Sequence, residues 1–68
     1  MSPEYREMWA DLYRFFEKCA SFDWKSAQPQ EITDAAAVIL NKYPDNWFVR
    51  DVLSYSVAYT REIAMKED

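Results

Sequence analysis

Apolar and polar residues alternate along the first third of the chain with the three- and four-residue spacing of an amphipathic helix. Ser2 and Pro3 are typical of a helix start, because serine favours the N-cap and proline favours the first helical position. We therefore predict a helix at about residues 3–20. Its apolar stripe contains Tyr5, Met8, Leu12, Phe15 and Cys19, is widened by Trp9 and Phe16, and is extended by Tyr13.

The segment from Ser21 to Glu31 breaks this pattern and predicts the first connection, with one short turn around Trp24. A second helix is predicted at about residues 29–43. It should end before Pro44, which lacks a backbone N–H and clashes with the preceding helical turn. The apolar face of this helix contains Ile32, Ala35, Ala36, Ile39, Leu40 and Tyr43.

A third helix is predicted at about residues 46–65, because Asp45 or Asn46 can cap it and an apolar periodicity follows. Phe48 and Tyr55 lie at one edge of its apolar face, whereas Trp47 falls on the polar side. The apolar face itself contains Val49, Val52, Leu53, Ser56, Tyr59, Thr60 and Ile63.

Trp47 and Phe48 are adjacent aromatic residues, and neighbours on a helix point about 100° apart, so they cannot both face one core. The sequence leaves two interpretations of Trp47. We favour a clasp, in which the indole folds back over the connection against Tyr43 or Trp24. The alternative is an exposed binding anchor, since tryptophan is frequent among interface hot spots.

The composition narrows the fold class. The chain has 68 residues, no glycine, one cysteine and no histidine, and half of its residues are apolar. The lack of glycine removes the usual residue of positive-φ turns, which favours helices over β-hairpins. A chain of this length is expected to form one hydrophobic core. The sequence therefore predicts a single all-α domain, residues 1–68, folded as a small three-helix bundle.

The charge balance disfavours binding to phosphate groups. The net charge is −4, from twelve acidic and eight basic residues, whereas nucleic acids and anionic membranes attract surfaces rich in Lys and Arg. The longest apolar run, Ala35 to Leu40, is much shorter than a membrane-spanning helix. We expect no direct nucleic-acid or membrane partner. The N-terminal residues also lack the basic-then-apolar layout of a secretion signal, so we expect a cytoplasmic location, with which a single unpaired cysteine is consistent.

Candidates for chemistry are few. Glu4, Glu7 and Asp11 share the side of the first helix opposite its apolar stripe, as the carboxylates of an acid–base or metal site could. Without histidine the pattern is more typical of a solvated helix face, on which Glu7 and Asp11 add little stability. Cys19 has no histidine as a base and is predicted to be a small buried apolar residue. We predict no enzyme activity, no metal site and no cofactor.

The number of large aromatic residues is the feature that suggests a function. Twelve aromatic residues are hard to bury within a chain of 68, and surplus aromatic surface is typical of binding sites. We therefore expect a small acidic protein that binds another protein. One alternative is a homo-oligomeric structural unit, such as a homodimer built through the first helix. Another is an acidic decoy that inhibits a nucleic-acid-binding protein. The candidate partner-binding residues are Trp47, Trp9, Tyr13 and Trp24.

Overall fold

The computed structural model describes residues 1–66 and contains three α-helices. Helix α1 spans Pro3–Ser21, α2 spans Gln30–Lys42 and α3 spans Trp47–Lys66. Each end lies within one residue of the end predicted from the apolar periodicity, and a short turn occupies residues 24–26. The described residues contain no strand. The predicted all-α class and three-helix architecture are confirmed.

Proline and short polar residues determine where the helices begin. Pro3 is the first residue of α1, and Pro29 occupies the N-cap position of α2. Asn46 caps α3, because its side-chain Oδ1 accepts a hydrogen bond of 3.0 Å from the backbone N–H of Val49. Asp45 has a φ of 58°, a left-handed conformation that aspartate tolerates better than most residues with a Cβ. The chain thereby turns sharply between α2 and α3 without glycine.

Helix α1 lies parallel to α3. Near their N-terminal ends the rings of Trp9 and Phe48 meet edge to face, with centroids 5.5 Å apart. Toward their C-terminal ends Cys19 lies within hydrogen-bond reach of Thr60. The shorter α2 runs back in the opposite direction, as the two brief connections require. The interface of α1 with α3 is the largest of the three helix contacts.

The core contains residues from all three helices and one residue from the first connection. Trp24, in that connection, is only 9% exposed, and its indole N–H donates a hydrogen bond of 2.9 Å to the carbonyl oxygen of Cys19. Trp24 therefore belongs to the core. Its prediction as a partner-binding residue is wrong, because such a residue must lie at the surface. The buried apolar residues are Leu12, Phe15, Cys19, Trp24, Ile32, Val49 and Leu53.

Cys19 is fully buried, which confirms its predicted place in the core. Burial raises the pKa of its thiol, and a hydrogen bond with Thr60 acts weakly in the opposite direction. The buried hydroxyls of Ser56 and Thr60 each donate a hydrogen bond of 2.7 Å to a backbone carbonyl one turn earlier in α3. These polar groups of the inner face are thus satisfied within their own helix.

Four residues that the periodicity assigns to inward faces lie at the surface instead. Helix α2 has 13 residues, compared with 19 in α1 and 20 in α3, so it covers only part of the longer pair. A helical wheel gives the direction of a side chain and does not show whether another helix lies over it. The core is therefore smaller than the periodicity predicts. The four exposed residues are Tyr5, Leu40, Tyr59 and Ile63, and Tyr55, which was predicted at the edge of the apolar face of α3, is also exposed, at 72%.

Candidate binding face

A stripe of exposed aromatic side chains follows α1 on the side away from α2. Trp9, Tyr13 and Phe16 recur at four- and three-residue spacing, and their exposed fractions are 47%, 61% and 36%. Asp11 and Lys18 of α1 form ion pairs with residues of α2, and they point to roughly the opposite side of α1. The aromatic stripe is therefore not covered by α2, which packs on the opposite side of α1.

The stripe forms one wall of a shallow groove between α1 and α3, with a volume of about 200 Å³. The other wall belongs to α3. Tyr59 and Ile63 follow Ser56 by three and seven residues, so they extend this wall toward the C-terminus of α3, and both are exposed. The groove is lined by Trp9, Leu12, Tyr13, Phe16, Val52 and Ser56. We define the aromatic face as Trp9, Tyr13, Phe16, Val52, Tyr59 and Ile63.

Trp47 extends the aromatic face at the N-terminal end of α3. Its ring meets that of Phe48 edge to face with centroids 6.0 Å apart, and Phe48 in turn meets Trp9. Phe48 is partly buried against the core, as predicted. Trp47 itself is 66% exposed. The predicted clasp is therefore wrong, because a clasp requires the indole to be buried, and the anchor interpretation remains.

Of the four candidate partner-binding residues, Trp9 and Tyr13 lie on the aromatic face, and Trp47 lies beside it, linked to Trp9 through the ring of Phe48. The fourth, Trp24, is in the core. The sequence prediction missed Tyr59 as a surface residue because its spacing within α3 matches the core face. The sequence did contain a signal of this exposure. The second helix is too short to cover both longer helices along their whole length.

The dimensions of the chain agree with an incompletely covered helix pair. Its principal extents are 42 × 22 × 16 Å and its radius of gyration is 12.6 Å, compared with about 11 Å for a compact chain of this length. Its accessible surface is 5147 Å², whereas a typical monomer of the same mass exposes about 4,500 Å². The chain thus exposes roughly 600 Å² more surface than a typical monomer of its mass.

On the opposite side of α1, Asp11 is the centre of a polar network and is not the solvated carboxylate that we predicted. Its Oδ2 atom accepts hydrogen bonds from Lys42 at 2.8 Å and from the Tyr43 hydroxyl at 2.6 Å. Its Oδ1 atom accepts one from Arg14 at 2.7 Å. Lys42 also pairs with Glu7 at 2.8 Å. The Asp11 side chain is only 12% exposed, because the end of α2 covers it.

The network shifts the pKa of each of its central groups. Hydrogen bonds from Lys42 and then Tyr43 lower the pKa of Asp11 to about 2, although burial acts in the opposite direction. The hydrogen bond to Asp11 raises the pKa of Lys42. Burial and the Asp11 carboxylate raise the pKa of the Tyr43 hydroxyl. At neutral pH the carboxylate and the ammonium group are therefore charged, and the tyrosine remains a donor.

We expect Asp11→Asn to lower the free energy of unfolding at pH 7 by about 1–2 kcal/mol, because it removes the charge that holds the two donors of α2. The pKa of Asp11 is lower in the folded chain than its ordinary value of 3.8. Its contribution is therefore present above about pH 4 and is lost as the pH falls toward 2. Urea unfolding followed by circular dichroism across this range measures the difference.

The matched control is Asp34→Asn, which changes an exposed aspartate of α2 that accepts a hydrogen bond from Gln30 within the same helix. This control should cost less than about 0.5 kcal/mol. Equal losses for the two variants at pH 7 would contradict the proposed importance of the network. A difference that persists unchanged at pH 2 would contradict its assignment to the ionised Asp11.

No protein-family model, curated protein or solved structure matches the chain. None of the helices formed by residues 1–66 is long and apolar enough to cross a bilayer. The same residues contain no cluster of three or more side chains suited to hold a metal ion. The aromatic face and the polar network are therefore the features from which a function can be inferred.

Proposed function

We propose that the chain is a non-enzymatic binding protein that docks on another protein chain through the aromatic face and Trp47. The observation that carries this proposal is the exposure of Trp9 and Tyr13 on the aromatic face and of Trp47 beside it, where Phe48 is in ring contact with both tryptophans. Tyrosine and tryptophan are the residues that most often dominate the energy of protein interfaces, because they bury a large area with few rotatable bonds.

The size of the surface supports the same proposal. A fully buried aromatic side chain removes about 150–250 Å² from water, so the exposed fractions of the aromatic face and Trp47 together amount to about 600 Å². The largest apolar patch on a typical monomer covers about 300–600 Å² and is often functional. The exposed area of the aromatic face and Trp47 together is thus at the upper end of that range.

An acidic decoy has weaker support. A decoy presents free carboxylates where phosphates would lie. Glu7 and Asp11 instead form ion pairs with Lys42, and Glu31 of α2 pairs with Lys18 of α1 at 2.8 Å. These carboxylates have partners within the chain, so the aromatic face offers the better-supported mode of binding.

Site-specific photo-crosslinking in the cells that produce the chain tests the proposal. A benzoylphenylalanine residue replaces Tyr13, which is 61% exposed at the centre of the aromatic face. The control replaces Val38, an exposed residue of α2 outside the face. Both sites are exposed, so neither substitution disturbs the core. We expect irradiation to give a discrete covalent protein adduct from position 13 and none from position 38, with the adduct mass identifying the partner.

Two results would contradict the proposal. One is the absence of any adduct at position 13 while the chain is folded and expressed. The other is the same adducts at positions 13 and 38, which would indicate contact without preference for the aromatic face. Replacing Trp9 or Trp47 with Ala in the crosslinking chain should reduce the adduct, because truncation of an interface hot spot weakens binding by about 2 kcal/mol or more.

A further inference from the structure

We infer that the occupant of the aromatic face is a second copy of the chain, which packs its own aromatic face antiparallel on the first across a two-fold axis. This inference rests on the proposed function and names the partner of the same surface. Two-fold symmetric homodimers are the commonest oligomers, and such an interface must be complementary to itself. The aromatic face must therefore be complementary to itself if it forms the dimer interface.

The charged residues beside the aromatic stripe have this property. Arg6 and Glu17 lie seven residues before and four residues after Tyr13, so both lie along the same edge of the stripe. They are equally distant from the midpoint between positions 11 and 12. In an antiparallel pair of α1 helices centred on that point, Arg6 meets Glu17 of the partner subunit, and symmetry repeats the contact. A parallel two-fold pair would place this edge of the two copies on opposite sides of the interface, so that Arg6 could not reach Glu17 of the partner subunit, which favours the antiparallel arrangement.

The same register aligns the aromatic side chains. An antiparallel pair centred on the same midpoint brings Trp9 of one copy within one residue of the level of Tyr13 of the partner subunit, and the reverse contact follows from symmetry. Phe16 then lies opposite the aliphatic part of Arg6 of the partner subunit. One arrangement thus satisfies both the apolar stripe and its charged edge, without any change in the backbone.

The distribution of charge permits two acidic chains to approach through this face. The net charge is −4, but the edge of the stripe carries one arginine and one glutamate and is neutral. Acidic residues are prominent on the opposite side, where Glu7 and Asp11 lie beside α2 and Glu31 and Asp34 lie on it. Because this edge is neutral, it does not favour a strongly basic partner. Its one positive and one negative charge can instead pair with those of a second copy.

The area is sufficient for a modest dimer. Without Trp47 the aromatic face exposes about 450 Å² in each copy, so a dimer would bury about 900 Å² in total, which is below the area of most stable complexes and typical of weak, reversible ones. We therefore expect a reversible dimer with a dissociation constant in the micromolar range. Sedimentation equilibrium of the full chain, from about 1 µM to about 1 mM, should show a transition from monomer to dimer centred in that range.

Charge reversal tests the antiparallel register. Arg6→Glu or Glu17→Arg alone should each raise the dissociation constant about tenfold, because two attractive pairs per dimer become repulsive. The combined variant Arg6→Glu with Glu17→Arg restores opposite charges and should return the constant to within about threefold of the original. Both changes suit the dipole of α1, with an acid near its start and a base near its end, so they do not unfold it.

Arg61→Glu is the control, because it alters the net charge as much as Arg6→Glu does but lies on α3, on the side away from the aromatic face. It should change the dissociation constant by less than about threefold. A chain that remains monomeric at every concentration would overturn the inference. So would a dimer that ignores the single reversals or is not rescued by the combined variant. A crosslinked adduct with a different protein at position 13 would then leave the proposed function standing.

Discussion

Leu53→Ala is expected to lower the free energy of unfolding by about 2–5 kcal/mol, the usual cost of replacing a buried leucine with alanine. Leu53 is 3% exposed and belongs to the buried cluster that also contains Leu12, Phe15 and Val49. Small domains have total stabilities near the lower end of 5–15 kcal/mol. The variant should therefore be partly or largely unfolded at 25 °C.

Urea unfolding below about 1 µM, where the expected dimer has dissociated, measures this loss without a contribution from association. Leu40→Ala is the matched control, since the same side chain is removed from an exposed position of α2. The control should cost less than about 1 kcal/mol. If Leu40→Ala were as damaging as Leu53→Ala, the core would not lie where the structure places it.

Trp24→Ala is expected to be comparably damaging, at about 3–5 kcal/mol of unfolding free energy. The substitution leaves a cavity in the core near the C-terminal end of α1. It also removes the indole N–H that donates a hydrogen bond to the carbonyl oxygen of Cys19. Trp47→Ala removes an indole of the same size from an exposed position and should cost less than about 1 kcal/mol. The contrast between the two tryptophans follows from their burial alone.

Thermal and urea unfolding of the two variants compare these costs directly. A large loss of stability for Trp47→Ala would restore the clasp that the exposed indole contradicts. A small loss for Trp24→Ala would mean that Trp24 is accessible to a partner after all. In the proposed function, Trp47→Ala instead weakens binding while the chain stays folded.

The helix bounds and the centre of the core could be predicted from the sequence because both depend on local signals. Pro3, Pro44 and Asn46 mark helix ends through backbone chemistry that does not depend on the rest of the chain. Leu12 and Leu53 lie in the middle of their apolar stripes, so any packing of three helices buries them.

The edges of the stripes could not be predicted in the same way. Tyr59 and Ile63 share the period of the core, but their exposure depends on how far the third helix of the bundle extends over them. Asp11 appears solvated on a helical wheel, yet the end of α2 brings Lys42 and Tyr43 to it from 31 and 32 residues away. Long-range placement of this kind is not encoded in the local periodicity.

Hydroxyl-radical oxidation of the unmodified chain measures whether the folded chain leaves Trp9 and Tyr13 uncovered. The experiment needs no substitution, because Trp24 and Trp47 serve in the same sample as references for a buried and an exposed indole. At concentrations below about 1 µM, where the expected dimer has dissociated, Trp9 and Tyr13 should react at rates approaching that of Trp47 and well above that of Trp24. Rates for Trp9 and Tyr13 as low as that of Trp24 under these conditions would show that the aromatic face is buried within the single chain and is not available to a partner.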